Sequence, residues 1–279
     1  MPAGRVYLVP VPIGNLGDIT QRALETLKSV ALIAAEDTRK TRFLLSQYGI
    51  KPPRLLSLHK YNEKQRLAEI LALLDAGSEI AVVTDAGSPG ISDPALLLIQ
   101  AAIAKSITIT PLPGPTALIP AVTASGLDCS EFQFLGFLPL KLKERRLRLD
   151  RVRDHPSPSV LYEAPHRVRR TLEDLFAHCG NREICLAREI SKLYEEFIRG
   201  DLEMVLRDWT VTEKGEFVIV VAGRESAVQT DDDEIGKYID ERLSEAASLK
   251  SLALEVAERF SVSRNHAYQL VLSHRNKEE

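Results

Sequence analysis

Short apolar runs alternate with longer amphipathic stretches through roughly the first 110 residues. Val6 to Val11, Leu32 to Ala35, Leu55 to Leu58, Ile80 to Val83 and Ile107 to Ile109 are rich in aliphatic and β-branched residues and predict buried strands. Between the first two, Ala23, Leu24, Leu27 and Val30 recur at helical spacing, and Asp18 followed by Gln21 resembles a capping box. Phe43 to Tyr48 predicts a helix that Gly49 terminates, Leu67 to Asp75 one closed by Gly77, and Pro94 to Ala104 another. Alternation of this kind predicts a parallel sheet between two layers of helices, an α/β domain.

The pattern changes near residue 116. A helix is expected from Thr116 to about Ser125, a strand over Gln133 to Phe137 and a basic helix over Lys141 to Asp154. Ser159 to Tyr162 and Ile184 to Ala187 predict buried strands, as does the stretch from Gly215 to Gly223, which has a glycine at each end. This half predicts an α/β unit with partly antiparallel pairing. Residues 226–234 are polar and acidic, like a linker. Beyond them Leu249, Leu252, Ala253, Val256 and Ala257 form one apolar stripe, and Ala267, Leu270 and Val271 mark a second helix with Ser263 as its cap. Spacing alone leaves two readings open, a helix-turn-helix-like unit or a plain helical hairpin. The expected domains are 1–115, 116–225 and 235–279.

Composition narrows the classes. Of 279 residues, 44% are hydrophobic and 27% charged, the profile of a globular protein. The net charge of −3 gives no global attraction to polyanions, so any such partner must meet a local basic patch. Cys129, Cys179 and Cys185 form no Cys-x-x-Cys pair, which argues against a disulfide framework and a zinc cluster and for a reducing compartment. The histidines are scattered, so no metal site is expected. The start of the chain leads straight into a strand and does not read as a signal peptide. No apolar run approaches the roughly 20 residues of a membrane span. A cytoplasmic protein is the expectation.

The most informative stretch is V-V-T-D-A-G-S-P-G-I-S-D-P, residues 82–94. A strand breaks here into glycines and prolines, and glycine lets a ligand approach the backbone closely. A helix-forming run follows, which puts this loop at the carboxyl edge of a parallel sheet, where open α/β sheets bind small molecules. An ordinary βα turn has the same signature. The chain lacks a G-x-G-x-x-G turn and a Walker lysine, which counts against a nucleotide-phosphate site.

Four segments taken together are more specific. They are V-P-I-G-N-L-G-D-I-T at 11–20, A-A-E-D-T-R at 34–39, T-D-A-G-S-P-G-I-S-D-P at 84–94 and P-L-P-G-P-T-A at 111–117. On these the chain resembles the tetrapyrrole-methylase superfamily, the class III S-adenosylmethionine methyltransferases. Within it, the likeness is greatest to the enzymes that 2′-O-methylate a cytidine of 16S rRNA in the decoding centre. It extends through L-Y-E-A-P-H-R at 161–167, A-R-E-I-S-K at 187–192, G-E-F-V-I-V-V at 215–221 and the helical tail. One departure is Ser88 to Ser92, where relatives often carry Thr-Pro and a different triplet.

The resemblance implies a two-domain fold with a small helical tail and S-adenosylmethionine bound in the cleft between the domains. It implies cofactor contacts from Pro12, Ala86, Gly87, Ser88, Ile91, Thr116, Ala117, Glu163 and Ile190. It also implies a homodimer, and 16S rRNA or the small ribosomal subunit as partner.

A ribose hydroxyl is a poor nucleophile, and a base or a polarising cation would help it. Asp37, Arg39, Glu163 and His166 are the candidate catalytic groups, with His59, Lys60, Arg167 and Glu189 also considered. Each has a plainer role open to it as a cap, a salt bridge or a loop residue, and positioning without a dedicated base is a further possibility. Lys141, Lys143, Arg145, Arg146, Arg148, Arg151 and Arg153 crowd one helix, and Lys141, Arg145 and Arg148 share a face. With Arg167, Arg169 and Arg170 nearby in sequence, Lys141, Arg145, Arg146, Arg148 and Arg167 are candidate phosphate contacts for RNA. A solvated helix face is the alternative. Two other functions stay open: methylation of a polycarboxylate tetrapyrrole precursor, and a non-catalytic ribosome-assembly role.

Overall fold

The computed structural model describes residues 4–91, 95–209, 214–224, 232–243, 248–260, 262 and 264–278. The chain divides into two compact units, Met1–Arg224 and Glu225–Glu279.

The first part of the larger unit runs β1 (Arg5–Leu8), α1 (Gln21–Ser29), β2 (Leu32–Ala35), α2 (Thr38–Gln47), β3 (Arg54–Ser57), α3 (Glu63–Asp75), β4 (Glu79–Val83), α4 (Leu96–Ala104) and β5 (Thr108–Pro111). Its five strands are all parallel, in the order β3-β2-β4-β1-β5. Successive side chains of β4 sort to opposite faces, as a pleated strand requires. Ile80 and Val82 pack with Ile70, Leu74, Leu98 and Ala102 from α3 and α4. Ala81 and Val83 pack with Ala23, Leu27 and Leu45 from α1 and α2. Both faces are buried, which explains the continuous apolar runs in the sequence.

The second part runs α5 (Leu118–Thr123), β6 (Gln133–Phe137), α6 (Leu142–Asp154), β7 (Ser159–Glu163), α7 (Val168–Cys179), β8 (Glu183–Arg188), β9 (Glu196–Asp201), α8 (Leu202–Asp208) and β10 (Phe217–Val221). Its sheet has the order β6-β7-β10-β8-β9. Only β6 and β7 pair in parallel, so the expected mixed pairing is found. Leu161, Leu186, Ile219 and Val221 pack with Leu149, Val152, Leu172, Leu175 and Val205 of α6, α7 and α8. Val160, Cys185, Val218 and Val220 pack with Ala121 and Val122 of α5 on the other face.

Some local expectations change. Thr20, not Asp18, caps α1, its side chain accepting from the Ala23 amide. Asp18 instead ends a short 3-10 turn and accepts the Ser191 hydroxyl, so its carboxylate is used across the fold. α2 begins at Thr38 rather than Phe43, because the Asp37 side chain takes the Arg39 amide and caps it. The predicted helix start at Pro94 lies outside the described residues.

The smaller unit contains α9 (Asp232–Arg242), α10 (Leu249–Phe260) and α11 (Arg264–Glu278). Ile235, Ile239, Leu252, Val256, Ala267 and Val271 form its core, so the apolar stripe of α10 is the buried one. The Ser263 cap and most of the 226–234 linker lie outside the described residues. No described helix is long and apolar enough to cross a membrane.

Candidate active site

The carboxyl ends of β1, β2 and β4 are adjacent in the first sheet, and the loops that leave them meet. The Val11 amide donates to the Gly87 carbonyl at 3.0 Å, and the Gly87 amide returns a bond to the Val11 carbonyl at 2.9 Å. The Ser88 hydroxyl donates to the Pro115 carbonyl at 3.1 Å, which ties in the loop after β5. Gly87 sits at φ +74°, where an L side chain is strained, and a Cβ there would lie 3.5 Å from Ile13.

The second sheet supplies the facing wall. Tyr162 and Glu163 end β7, Glu216, Phe217 and Val218 lie at the start of β10, and Ile190 follows β8. With Ile13, Ala86, Gly87, Ser88, Ile91, Thr116 and Ala117 they line a cavity of about 450 Å³. Every residue expected at the cofactor lines this cavity except Pro12.

Four carboxylates and one ammonium line the cavity: Glu36, Asp85, Glu163, Glu216 and Lys40. Three of the acids face a cation. Lys40 bonds Asp85 at 2.6 Å, Lys192 approaches Glu216 at 3.3 Å, and Arg167 lies 3.3 Å from Glu163. Among the described residues Glu36 accepts only the Asp85 amide, at 3.3 Å. The lining is therefore net negative, and its low-dielectric walls favour a cationic ligand.

Glu163 is fully buried, and its oxygens are occupied. One accepts the Ala164 amide at 2.8 Å, the other the Thr171 hydroxyl at 2.7 Å. Thr171 in turn accepts from Arg145 at 2.9 Å, and Arg145 donates to Asp174 at 2.6 Å. Arg145 is thus 5% exposed and serves the interior. The expectation that it contacts RNA phosphate is corrected: a helix with a basic outer face still turns every third or fourth residue inward. Arg167 also turns in, donating to the Leu138 carbonyl at 2.6 Å. Lys141 and Arg146 are exposed and Arg148 is half-buried. Arg146 and Arg148 have no acidic partner among the described residues.

A second cavity, about 620 Å³, is lined by Pro12, Asp37, Arg39, Lys40, Thr41, Phe43, Leu44, Thr84 and Asp85. It shares Lys40 and Asp85 with the first. Asp37 holds Arg39 through two side-chain bonds of 2.8 and 3.1 Å and also accepts the Arg39 amide. Those bonds hold its carboxyl far below the usual carboxylate range. The bond that Lys40 donates to Asp85 raises the pKa of its ammonium, so it stays charged. His166 is exposed and lines neither cavity, and His59 closes a turn by accepting the Tyr61 amide. Glu189 binds Lys192 and the Glu216 amide.

Sequence reasoning missed several lining residues. Glu36, Asp85, Tyr162 and Glu216 stand inside the motifs, but their direction into the cavity depends on the packed sheets. Lys40 and Phe43 carry no signal beyond following a motif. Among the described residues, no cluster of histidine, cysteine or acidic side chains has the makings of a metal site.

The profile of the tetrapyrrole (corrin/porphyrin) methylases matches residues 5–205. The "Ribosomal RNA small subunit methyltransferase I" of Haemophilus influenzae is 42% identical over 282 residues, covering 98% of each chain. Its counterpart from Escherichia coli O157:H7 is 42% identical, over 96% of this chain and 95% of that one. Among solved structures, the methyltransferase CobJ superposes with a TM-score of 0.59 at 22% identity, covering 80% of this chain and 95% of that chain. The uroporphyrin-III C-methyltransferase of Thermus thermophilus, complexed with S-adenosylhomocysteine, gives 0.55 at 19% identity, over 78% and 97% of the chains.

Proposed function

The chain belongs to the ribosomal RNA small subunit methyltransferase I family of tetrapyrrole methylases, and on that premise we propose that it methylates the ribose 2′-hydroxyl of a decoding-centre cytidine in 16S rRNA, with S-adenosylmethionine as donor. The observation that carries this reading is the 450 Å³ cavity, which gathers Ala86, Gly87, Ser88, Ile91, Thr116, Ala117, Glu163 and Ile190 from distant motifs.

The residues present fit that donor. It is a flexible cation with a flat aromatic end, and the cavity joins a net negative lining to the apolar surfaces of Ile13, Phe137, Ile190 and Val218. The open backbone at Gly87 admits close approach. When bound, S-adenosylmethionine supplies an electrophilic methyl on a good leaving group, so holding the acceptor in line provides much of the rate.

Of the groups weighed for the proton, His166 lines neither cavity, Glu163 has its oxygens occupied, and Asp37 is held ionised by Arg39. The reading therefore gives Glu163 and Arg167 the task of fixing the cleft wall, and Asp37 that of fixing Arg39. Lys141, Arg146 and Arg148 are the proposed phosphate contacts. The proposal extends to a cytoplasmic homodimer with the parts 1–115, 116–225 and 235–279.

Small ribosomal subunits lacking the modification, incubated with the protein and labelled S-adenosylmethionine, test this reading. Label at one cytidine ribose of 16S rRNA is the expected result. Label on a tetrapyrrole precursor and none on rRNA would overturn it.

A further inference from the structure

We infer that the 620 Å³ cavity is the subsite for the target nucleotide, with its base stacked on Phe43 and its ribose at the Lys40–Asp85 wall. This rests on the proposed function and adds where the acceptor sits. The two cavities share Lys40 and Asp85, so a group held in one meets a group held in the other at that wall. Methyl transfer needs donor and acceptor on opposite sides of one short gap.

The lining suits a nucleotide taken out of its stack. Phe43 is 68% exposed on the first helical turns of α2, beside Leu44, and makes no ring contact with another aromatic among the described residues. An aromatic face left bare at a cavity mouth is the platform that single-stranded bases use. The Arg39 side chain is 85% exposed although Asp37 orients it, which leaves guanidinium N–H groups free for a phosphate. At the shared wall the Lys40 ammonium has three N–H donors and gives one to Asp85. The Asp85 oxygen that receives it keeps a second lone pair, so the pair can both donate to and accept from a ribose hydroxyl. The other Asp85 oxygen is buried with no partner among the described residues, so the carboxylate is held by Lys40 and has bonding capacity in reserve.

The test uses the full-length protein and a fluorescent single-stranded RNA fragment of the 16S decoding region. Phe43→Ala should weaken RNA binding about tenfold, the effect of losing one base–aromatic stack, and raise the KM for small subunits similarly. Calorimetric affinity for S-adenosylmethionine should stay at the wild-type value. Phe43→Trp should keep RNA affinity, and its emission beyond that of the native Trp209 should be quenched as RNA is added. Phe43→Ala with unchanged RNA affinity overturns the inference, as does an unquenched Phe43→Trp. Loss of cofactor affinity in Phe43→Ala overturns it too, because the cavity would then serve the donor. If wild-type protein methylates rRNA while Phe43→Ala is indifferent, this inference alone fails. If wild-type protein leaves rRNA unmodified, the proposed function fails and takes the inference with it.

Discussion

The two sheets build one cleft by different means. The parallel sheet presents main chain: glycine- and proline-rich loops after β1, β4 and β5, tied by the Val11–Gly87 bridge and the Ser88 bond to Pro115. The mixed sheet presents side chains: Tyr162, Glu163, Phe217 and Val218, backed by the Arg145–Thr171–Glu163 chain of hydrogen bonds. A wall of backbone is specified by the residue types that permit it, and such motifs are visible in a sequence. A wall of side chains is specified by what packs behind it, and those partners come from separate helices.

Breaking the backbone wall should have the largest effect. Gly87→Val puts a branched side chain at φ +74° beside Ile13 and into the cavity. Cofactor affinity, measured by calorimetry, should fall at least about 100-fold, or roughly 2.7 kcal/mol. Wild-type affinity in this variant would remove the loop from the site.

The side-chain wall should fail differently. Arg145→Ala strips Asp174 and Thr171 of a buried partner. Breaking a buried ion pair costs about 3–5 kcal/mol, and the partial exposure of Asp174 reduces that to ~2–4. The expected result is a Tm lowered by roughly 5–10 °C, with weaker cofactor binding because Glu163 loses its support. An unchanged Tm would show that the network does not hold this wall.

Cations of the same helix that hold no acidic partner among the described residues, the exposed Arg146 and the half-buried Arg148, should leave stability alone. Arg146→Glu with Arg148→Glu should weaken RNA binding and lower the log–log salt slope by roughly 0.7–0.9 for each phosphate no longer neutralised. Cofactor affinity and Tm should hold. Wild-type slope and affinity would make α6 a solvated face.

The smallest effect concerns Asp37. Its carboxyl is held below its ordinary value in the folded chain, so its contribution to stability is full above the unfolded-state value, about 4, and is lost as pH falls through the folded one. The Tm of Asp37→Asn should lie below wild type at neutral pH, and the gap should narrow in acid. A gap that is constant with pH would mean that the Asp37–Arg39 pair contributes nothing through charge.

Much of the parallel sheet was legible because its central strands β2 and β4 are buried on both faces and read as near-continuous apolar runs, whereas the edge strands β3 and β5 are partly exposed. Elements of the second half without such runs were not foreseen. β9 has no buried position and lies at the edge of its sheet, α8 is a helix of only seven residues, and α7 hides its apolar stripe among arginines and acids. Asp18 read as a cap because its local spacing fits one, yet Thr20 caps the helix and Asp18 reaches Ser191.

The sequence by itself determined the alternating α/β order, the mixed pairing of the second sheet and the glycine and proline loops of the cleft. These depend on local conformational preference and on the period of burial. Only the tertiary structure decided that Arg145 and Arg167 face inward while Arg146 faces out. It also decided that Pro12 borders a second cavity, and that Lys40 and Asp85 stand between the two. Direction and juxtaposition follow from how helices pack on sheets, and residues far apart in the chain set that packing.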